Sequence, residues 1–330
     1  MENICAAIVT YGNRFHLLKQ VIDSCFYNDV DKIVIVDNGS HEESKNRLIE
    51  YANNYIDKIN IIRLSENTGS AGGFKRVLEE AYKRNDCEYI IMLDDDNVLK
   101  QNCLKNLAYH FEMVLKDNSK DSIAFSSYRL PLGRFRNSNL TWKAFLAFHV
   151  KDIPNKVKKF FTIEGKKAKN AVVNRKEFLM EAAPYGGLFF HKSFIEKFGY
   201  PNENLFLYFD DTEWTYRITK LGGKIFLTRC CEIEDIDIKM GGEGKKCGLL
   251  SYFSADKSKV YYAIRNSSYL EKYCKHNASF ITIINRYLYL LILWLLSLIY
   301  RKKGVFKMMR EAIKDGERGN LGWNPKYPLK

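Results

Sequence analysis

Asp94, Asp95 and Asp96 stand in a row directly behind the run Tyr89 to Leu93. A short apolar run of this kind reads as a buried strand. Residues two apart on a strand face the same way, so Asp94 and Asp96 can converge on one point. Crowded carboxylates repel one another unless a cation or solvent holds them. An all-oxygen set suits Mg2+ or Mn2+, and either ion would neutralise a diphosphate. The competing reading is a solvated acidic turn, and the apolar strand in front argues against it.

A second acidic cluster, Asp210-Asp211-Thr212-Glu213-Trp214, opens a segment of helical period. The positive end of a helix favours acids in its first turn, so capping accounts for some of them. Two adjacent acids followed by Glu213 exceed what a cap needs. A carboxylate there could take a proton from an attacking hydroxyl. Asn67 to Gly73 (NTGSAGG) is a glycine-rich loop entering a helix. Glycine lets a ligand approach the backbone, and a helix N-terminus attracts anionic groups. The loop matches neither the P-loop nor the dinucleotide fingerprint, and alone it reads as a plain helix-entry turn.

The elements that must position these residues follow from periodicity. Ile4 to Thr10, Asp31 to Val36, Ile59 to Leu64 and Tyr89 to Leu93 read as strands. Phe15 to Cys25, Lys45 to Ala52 and Phe74 to Lys83 read as the helices between them. This alternation predicts a parallel, doubly wound α/β sheet. In such sheets ligands bind beyond the carboxyl ends of the strands. Tyr11 to Arg14, Asp37 to Ser40, the glycine-rich loop and the aspartate run all fall at such ends. Further on, Ala182 to Phe190 reads as a buried strand or extended segment and Ser193 to Phe198 as a short helix. Phe209 to Lys220 reads as a helix and Lys224 to Thr228 as one more strand.

With 330 residues, 46% hydrophobic and 28% charged, the chain can fold as one large domain with an appendage, or as two domains. Its formal charge of +13 suits phosphorylated substrates, anionic lipid or nucleic acid. Part of that charge is local: nine Lys or Arg lie between Lys151 and Lys176, against Asp152 and Glu164. The stretch carries few aromatics and no nucleic-acid-binding signature, so nucleic acid is not the expected partner. The eight cysteines lack metal-ligand spacing, and adjacent Cys230 and Cys231 are poor partners for each other. The N-terminal apolar run is too short for a signal peptide, so free thiols in a reducing cytosol are expected. Ala278 to Tyr300 is apolar apart from a few polar residues and Arg286, and Arg301-Lys302-Lys303 follow it. Arg286 and the scattered aromatics favour an amphipathic helix in a membrane interface over a buried core or dimer helix, or a true span.

Six segments in order carry a resemblance: VTYGNR (Val9 to Arg14), VDNGS (Val36 to Ser40), NTGSAGGF (Asn67 to Phe74), LDDDN (Leu93 to Asn97), GGLFFHKS (Gly186 to Ser193) and YFDDTEW (Tyr208 to Trp214). The chain resembles an inverting family 2 glycosyltransferase of GT-A fold, in the branch holding rhamnosyl- and galactofuranosyltransferases. The resemblance covers about residues 4 to 240 and is specific in order and spacing. Tyr261 to Asn266 (YYAIRN) and Asp315 to Gly319 (DGERG) are similar to late motifs of that branch. It implies a GT-A catalytic domain over 1-240, with a donor-binding half about 1-97 and an acceptor half about 98-240. Residues 241-330 would form a C-terminal helical, membrane-associating region.

Carried over residue by residue, the resemblance gives Thr10, Tyr11, Arg14 and Asp37 to the nucleoside, with Asp37 accepting a hydrogen bond from the base. Asn67, Gly69, Gly72 and Gly73 would line the donor pocket. Asp94 and Asp96 match the metal-binding aspartates, with Asp95 on the nucleotide side. Gly186 and Gly187 would let the chain pass close to the donor sugar and acceptor. Asp211 matches the catalytic base, with Asp210, Glu213 and Trp214 on the acceptor side and His191 either structural or acceptor-side. One departure concerns the metal. The family often supplies a ligand histidine shortly after the Lys224 to Thr228 strand, and here Cys230 to Asp237 contains none. Asp235 or Asp237 would have to replace it.

The implied reaction is inverting transfer of a galactofuranose-, galactose- or rhamnose-class sugar from a UDP- or dTDP-sugar, with Mn2+ or Mg2+. The acceptor would be a glycan or lipid-linked sugar in surface polysaccharide synthesis (capsule or O-antigen). The enzyme would be cytoplasmic, peripheral at the inner face of the cell membrane, with a homo-oligomer left open. A metal-dependent sugar nucleotidyltransferase usually shows a basic glycine-rich loop after its first strand, and Tyr11 to Arg14 is too short for one. A non-enzymatic basic membrane-binding module leaves both acidic clusters without a purpose.

Overall fold

The computed structural model describes residues 3–130, 177–237, 252–274 and 280–329. The basic stretch 151–176 lies outside them. Among the described residues one sheet is built from β1 (Ile4–Gly12), β2 (Lys32–Ser40), β3 (Ile59–Leu64), β4 (Tyr89–Asp94), β5 (Asn97–Leu99), β6 (Ile123–Leu130), β7 (Glu177–Met180), β8 (Leu188–His191) and β9 (Lys224–Asp235). The strand order is β3-β2-β1-β4-β8-β6-β9-β5, with β7 also paired to β9. The first four strands are parallel, as their alternation with helices predicts. Beyond β4 the sheet is mixed: β8 runs antiparallel to β4 and β6, β6 parallel to β9, and β5 and β7 antiparallel to β9.

Strand β1 shows why the sheet is covered on both faces. Ile4, Ala6 and Ile8 enter one apolar layer, while Cys5, Ala7 and Val9 enter the other. Helices α1 (Phe15–Tyr27), α2 (Glu42–Ala52) and α4 (Cys103–Leu115) close the first layer. Helices α3 (Gly69–Lys83), α5 (Ser193–Phe198) and α6 (Asp210–Lys220) close the second.

Three elements differ from the sequence expectation. The glycine-rich stretch is the first turn of α3 rather than a loop ahead of it. A Cβ on Gly73 would lie 2.7 Å from Val9, and one on Gly72 would lie 2.5 Å from Thr68, so these glycines permit close helix packing. Strand β9 continues past Thr228 to Asp235, through an irregularity where Ser127 pairs Thr228 but Tyr128 pairs Glu232. Its far half is held by the non-local pairing with β5, which local pattern does not reveal. Cys103 on α4 and Cys231 on β9 are joined as a disulfide, which corrects the expectation of free thiols for that pair. Cys5, Cys25, Cys87, Cys230 and Cys274 are free.

The C-terminal helices α7 (Lys257–Tyr273), α8 (Phe280–Ile299) and α9 (Lys303–Arg318) share a core with Phe206 of the preceding chain. Among the described residues no helix is long and apolar enough to cross a membrane. Helix α8 buries Tyr289, Leu293 and Ser297 and exposes Tyr287, Leu291, Trp294 and Leu298, each set at helical spacing. Arg286 is paired with Glu317 at 2.6 Å and Glu271 at 3.8 Å. Helices α7 and α9 approach so closely at Gly316 that a Cβ there would lie 2.1 Å from the Arg265 carbonyl oxygen. Backbone cannot step aside as a side chain can. Gly316→Ala should therefore cost about 2 kcal/mol, read as a lower urea midpoint at unchanged m-value.

Candidate active site

The carboxyl ends of β1, β2 and β4 lie side by side, with Thr10 beside Asp37 and Val9 beside Asp94. Asp94 is the last residue of β4, and Asp95 and Asp96 form the turn into β5. The turn, rather than strand alternation, brings the carboxyls together. Asn97 holds it: its Oδ1 accepts from the Asp94 N–H at 3.0 Å, and its Nδ2 donates to Asp96 at 3.2 Å and Asp235 at 2.6 Å. The Ile236 N–H donates to the Asp96 carbonyl at 2.9 Å, so the end of β9 closes on the same turn.

Two arginines meet this acidity. Arg14 donates through Nε to Asp95 at 2.9 Å and pairs with Asp96 at 3.2 Å and Asp237 at 2.6 Å. Arg129 on β6 pairs with Asp235 at 2.7 Å and approaches Asp94 at 3.8 Å. The Thr10 hydroxyl donates to Asp95 at 2.8 Å. Gly186 passes against the same point, since a Cβ there would lie 2.0 Å from Asn97 Oδ1 and 2.8 Å from the Asp94 carboxylate. Gly187 follows with φ +84.

The second acidic cluster reaches this place from α6. Asp211 Oδ1 accepts from the Thr212 N–H at 2.6 Å and hydroxyl at 3.1 Å. Its negative charge helps raise the Asp94 carboxyl, while Arg129 favours the ionised form of Asp211. The two clusters thus lie within electrostatic reach of each other and of Arg129. Asp210 lies deeper, 2% exposed, where its Oδ1 accepts from the Ser70 hydroxyl at 2.9 Å. Its other oxygen is buried near the Tyr185 hydroxyl.

Comparison with known proteins matches residues 5–172 to the family described as Glycosyl transferase family 2. The chain belongs to that family. Over 97% of its length it is 25% identical to 97% of the dTDP-rhamnosyl transferase RfbF of Shigella flexneri. Solved structures share the GT-A fold at low identity. GalNAc-T7, crystallised with UDP, GalNAc and Mn2+, has a TM-score of 0.55 at 16% identity. That match covers 87% of this chain, which spans about half of GalNAc-T7, 53%. The mannosyltransferase PcManGT from Pyrobaculum calidifontis, in complex with GDP-Man and Mn2+, has a TM-score of 0.50 at 12% identity, covering 98% of this chain and 77% of that one.

In this family 2 glycosyltransferase, burial raises the Asp94 carboxyl, lifts Asp95 to about 7 and lifts Asp96 to about 6. Arg14 opposes the rise at all three, and neighbouring aspartates add to it. Even with two guanidinium groups present, the cluster is short of positive charge. That deficit and the oxygen-only donor set fit a hard divalent cation. Among the described residues no three acidic, histidine or cysteine side chains already stand at ligand spacing, and Arg14 lies between Asp95, Asp96 and Asp237.

Other expected site residues have different settings. Glu213 is tied to Arg217 at 2.9 Å, and Arg217 in turn holds the Phe198 and Tyr200 carbonyls. Trp214 is fully buried against Tyr185, Phe190 and Phe194. Both side chains are engaged in these internal contacts. His191 lies opposite Tyr89, at the far end of β4 from Asp94, with Nδ1 on Ser193 at 2.7 Å. Asp37 is 3% exposed and accepts from the Ser40 N–H at 2.9 Å. Asn67 accepts from the Gly69 N–H at 2.8 Å, and Tyr11 is exposed with its ring under the Arg14 guanidinium.

Arg129 and Asn97 are the residues that sequence reasoning missed. Asn97 stood inside the quoted LDDDN segment, where an Asn after a strand signals a side-chain-held turn. Arg129 carried no signal, being one arginine in a strand.

Burial first, and then the charge of Asp211, push Asp210 up to about 8. Burial also raises Asp211, against the two Thr212 donors. Asp211 is half-buried where Asp210 is buried, and its Thr212 donors and Arg129 oppose its rise. A carboxyl raised on folding favours the protonated form, so its contribution to stability is intact below the ordinary value of about 3.9 and is lost as pH rises toward the folded value. Asp210→Asn keeps an oxygen for Ser70 and removes the ionisation. Its Tm should match wild type near pH 4 and exceed it near pH 8. Thermal melts across that window check this, and parallel curves would refute it.

Proposed function

We propose that this chain transfers a rhamnose-class deoxysugar from a dTDP-sugar to a hydroxyl of a glycan or lipid-linked acceptor, inverting the anomeric configuration. What supports the reaction type is the Asp94 to Asp96 turn at the strand ends together with Asp211, whose charge is felt at Asp94. The donor assignment rests on the similarity to a dTDP-rhamnosyl transferase along nearly the whole of both chains. Galactose- and galactofuranose-class donors on UDP are the other candidates from sequence.

Asp211 removes the proton from the acceptor hydroxyl as its oxygen attacks the anomeric carbon. The bond from that carbon to the diphosphate oxygen breaks on the opposite face, so one displacement inverts the centre and no glycosyl-enzyme is needed. Thr10, Tyr11, Arg14 and Asp37 hold the nucleoside at the ends of β1 and β2. Asp94 and Asp96, with Asp237 as the third oxygen donor in place of a histidine, would hold the Mn2+ or Mg2+. When bound, that ion supplies positive charge to the leaving diphosphate. Gly186 lets the backbone close against Asn97 and Asp94, where a side chain would not fit.

Asp211→Asn should lower kcat by about 1,000-fold or more while dTDP with Mn2+ still raises its Tm. Turnover near wild type in that variant would remove Asp211 from the role. In the same thermal-shift assay dTDP should outperform UDP and GDP, and a preference for UDP would move the donor to the galactose class.

The exposed apolar face of α8, with Arg301, Lys302 and Lys303 beyond it, supports attachment at the cytoplasmic membrane surface. The full chain should co-sediment with vesicles containing anionic phosphatidylglycerol. Leu291→Ser with Trp294→Ser and Leu298→Ser should release it, and unchanged sedimentation would exclude this face.

A further inference from the structure

The chain just ahead of the proposed base adopts a conformation that its residues resist. Phe206 has φ 63, Tyr208 φ 67 and Phe209 φ 62, and Asp210 comes next. Large L residues in the left-handed region are strained, and three within four positions persist only where surroundings impose them. The surroundings are specific. On α7, Asn266 Nδ2 lies 2.7 Å from the Leu205 carbonyl, 2.9 Å from Leu207 and 2.8 Å from Tyr208. Its Oδ1 accepts from Arg265 Nε at 2.9 Å, which fixes the amide's orientation. Arg265 Nη2 donates to the same Leu205 carbonyl at 2.9 Å, and Nη1 to Gly322. Both side chains are buried, Asn266 at 0% and Arg265 at 1% exposure. Arg265 spends its charge on carbonyls and on the rings of Tyr261 and Tyr262. From the opposite side the Ala71 N–H donates to the Phe206 carbonyl at 3.1 Å, an approach that Gly69 permits because a Cβ there would lie 2.0 Å from that oxygen.

A buried guanidinium and amide directed at the backbone of one strained turn, outside their own helix, do more than fill a core. We infer that Arg265 and Asn266 are positioning residues, which hold the 205–209 turn so that Asp211 stands at the acceptor hydroxyl. The inference rests on Asp211 being the base. It makes the C-terminal helices part of the catalytic apparatus, acting through backbone carbonyls rather than through substrate contact.

The test uses the full chain and four variants: Asn266→Ala, Arg265→Lys, Asp211→Asn, and Val260→Ala, which loosens the α7 core without a bond to the turn. Asn266→Ala should lose about 100-fold in kcat, with KM for the dTDP-sugar within about twofold and thermal stabilisation by dTDP plus Mn2+ retained. Arg265→Lys keeps the charge and one donor and should lose about tenfold in the same pattern. Val260→Ala should lower Tm and leave kcat alone. If Asn266→Ala does not bind nucleotide and so has not folded, Arg265→Lys decides. A folded Asn266→Ala or Arg265→Lys with wild-type kcat, beside an inactive Asp211→Asn, overturns this inference alone. Parallel losses of kcat in Val260→Ala also overturn it, by reducing the effect to stability. An active Asp211→Asn removes the base and this inference together.

Discussion

Negative charge packed at the end of one buried strand sets the terms for this molecule. Five carboxylates, Asp94, Asp95, Asp96, Asp235 and Asp237, face two guanidinium groups, Arg14 and Arg129. Charges taken out of water must be matched, or they revert to their neutral forms. Here both happen in part: the arginines are drawn in, and Asp95 and Asp96 rise to about 7 and 6. A site so balanced gains from any further positive charge and repels any further negative charge. That balance fits the proposed use of a divalent cation beside a diphosphate.

The fold supplies the five carboxylates from two remote stretches, and that shapes what the sequence could disclose. The parallel half of the sheet was legible because each strand is an apolar run followed by a polar break, a local pattern. The run Ile59 to Leu64 keeps its predicted limits as β3. Strand β9 was truncated because its continuation, Cys230 to Asp235, is half polar and depends on pairing with β5. Asp235 and Asp237 could be named as substitutes for a missing histidine, yet only that long-range pairing brings them to the turn at Asp96.

Side-chain roles within a motif were less legible than the motif itself. Asp210, Asp211, Glu213 and Trp214 are neighbours in sequence, but a helix sends them in different directions. Glu213 turns to Arg217 and Trp214 into the aromatic core, leaving Asp211 on the Thr212 donors and Asp210 on Ser70. The same holds for the glycine-rich stretch. Its composition suggested room for a ligand, whereas Gly69, Gly72 and Gly73 make room for Phe206, Thr68 and Val9.

That packing joins two halves which the sequence treats as separate. The first turn of α3 makes two such contacts, the Ala71 N–H on the Phe206 carbonyl ahead of α6 and the Ser70 hydroxyl on Asp210 at its start. Asn38, at the end of β2, fixes the start of α3 in turn, accepting from the Thr68 N–H at 2.8 Å and donating to the Gly69 carbonyl at 2.9 Å. A continuous chain of hydrogen bonds thus runs from the strand end beside Asp37 to the turn that carries Asp211. The start of α3 is thereby held from both sides, by Asn38 on β2 and by the segment leading into α6.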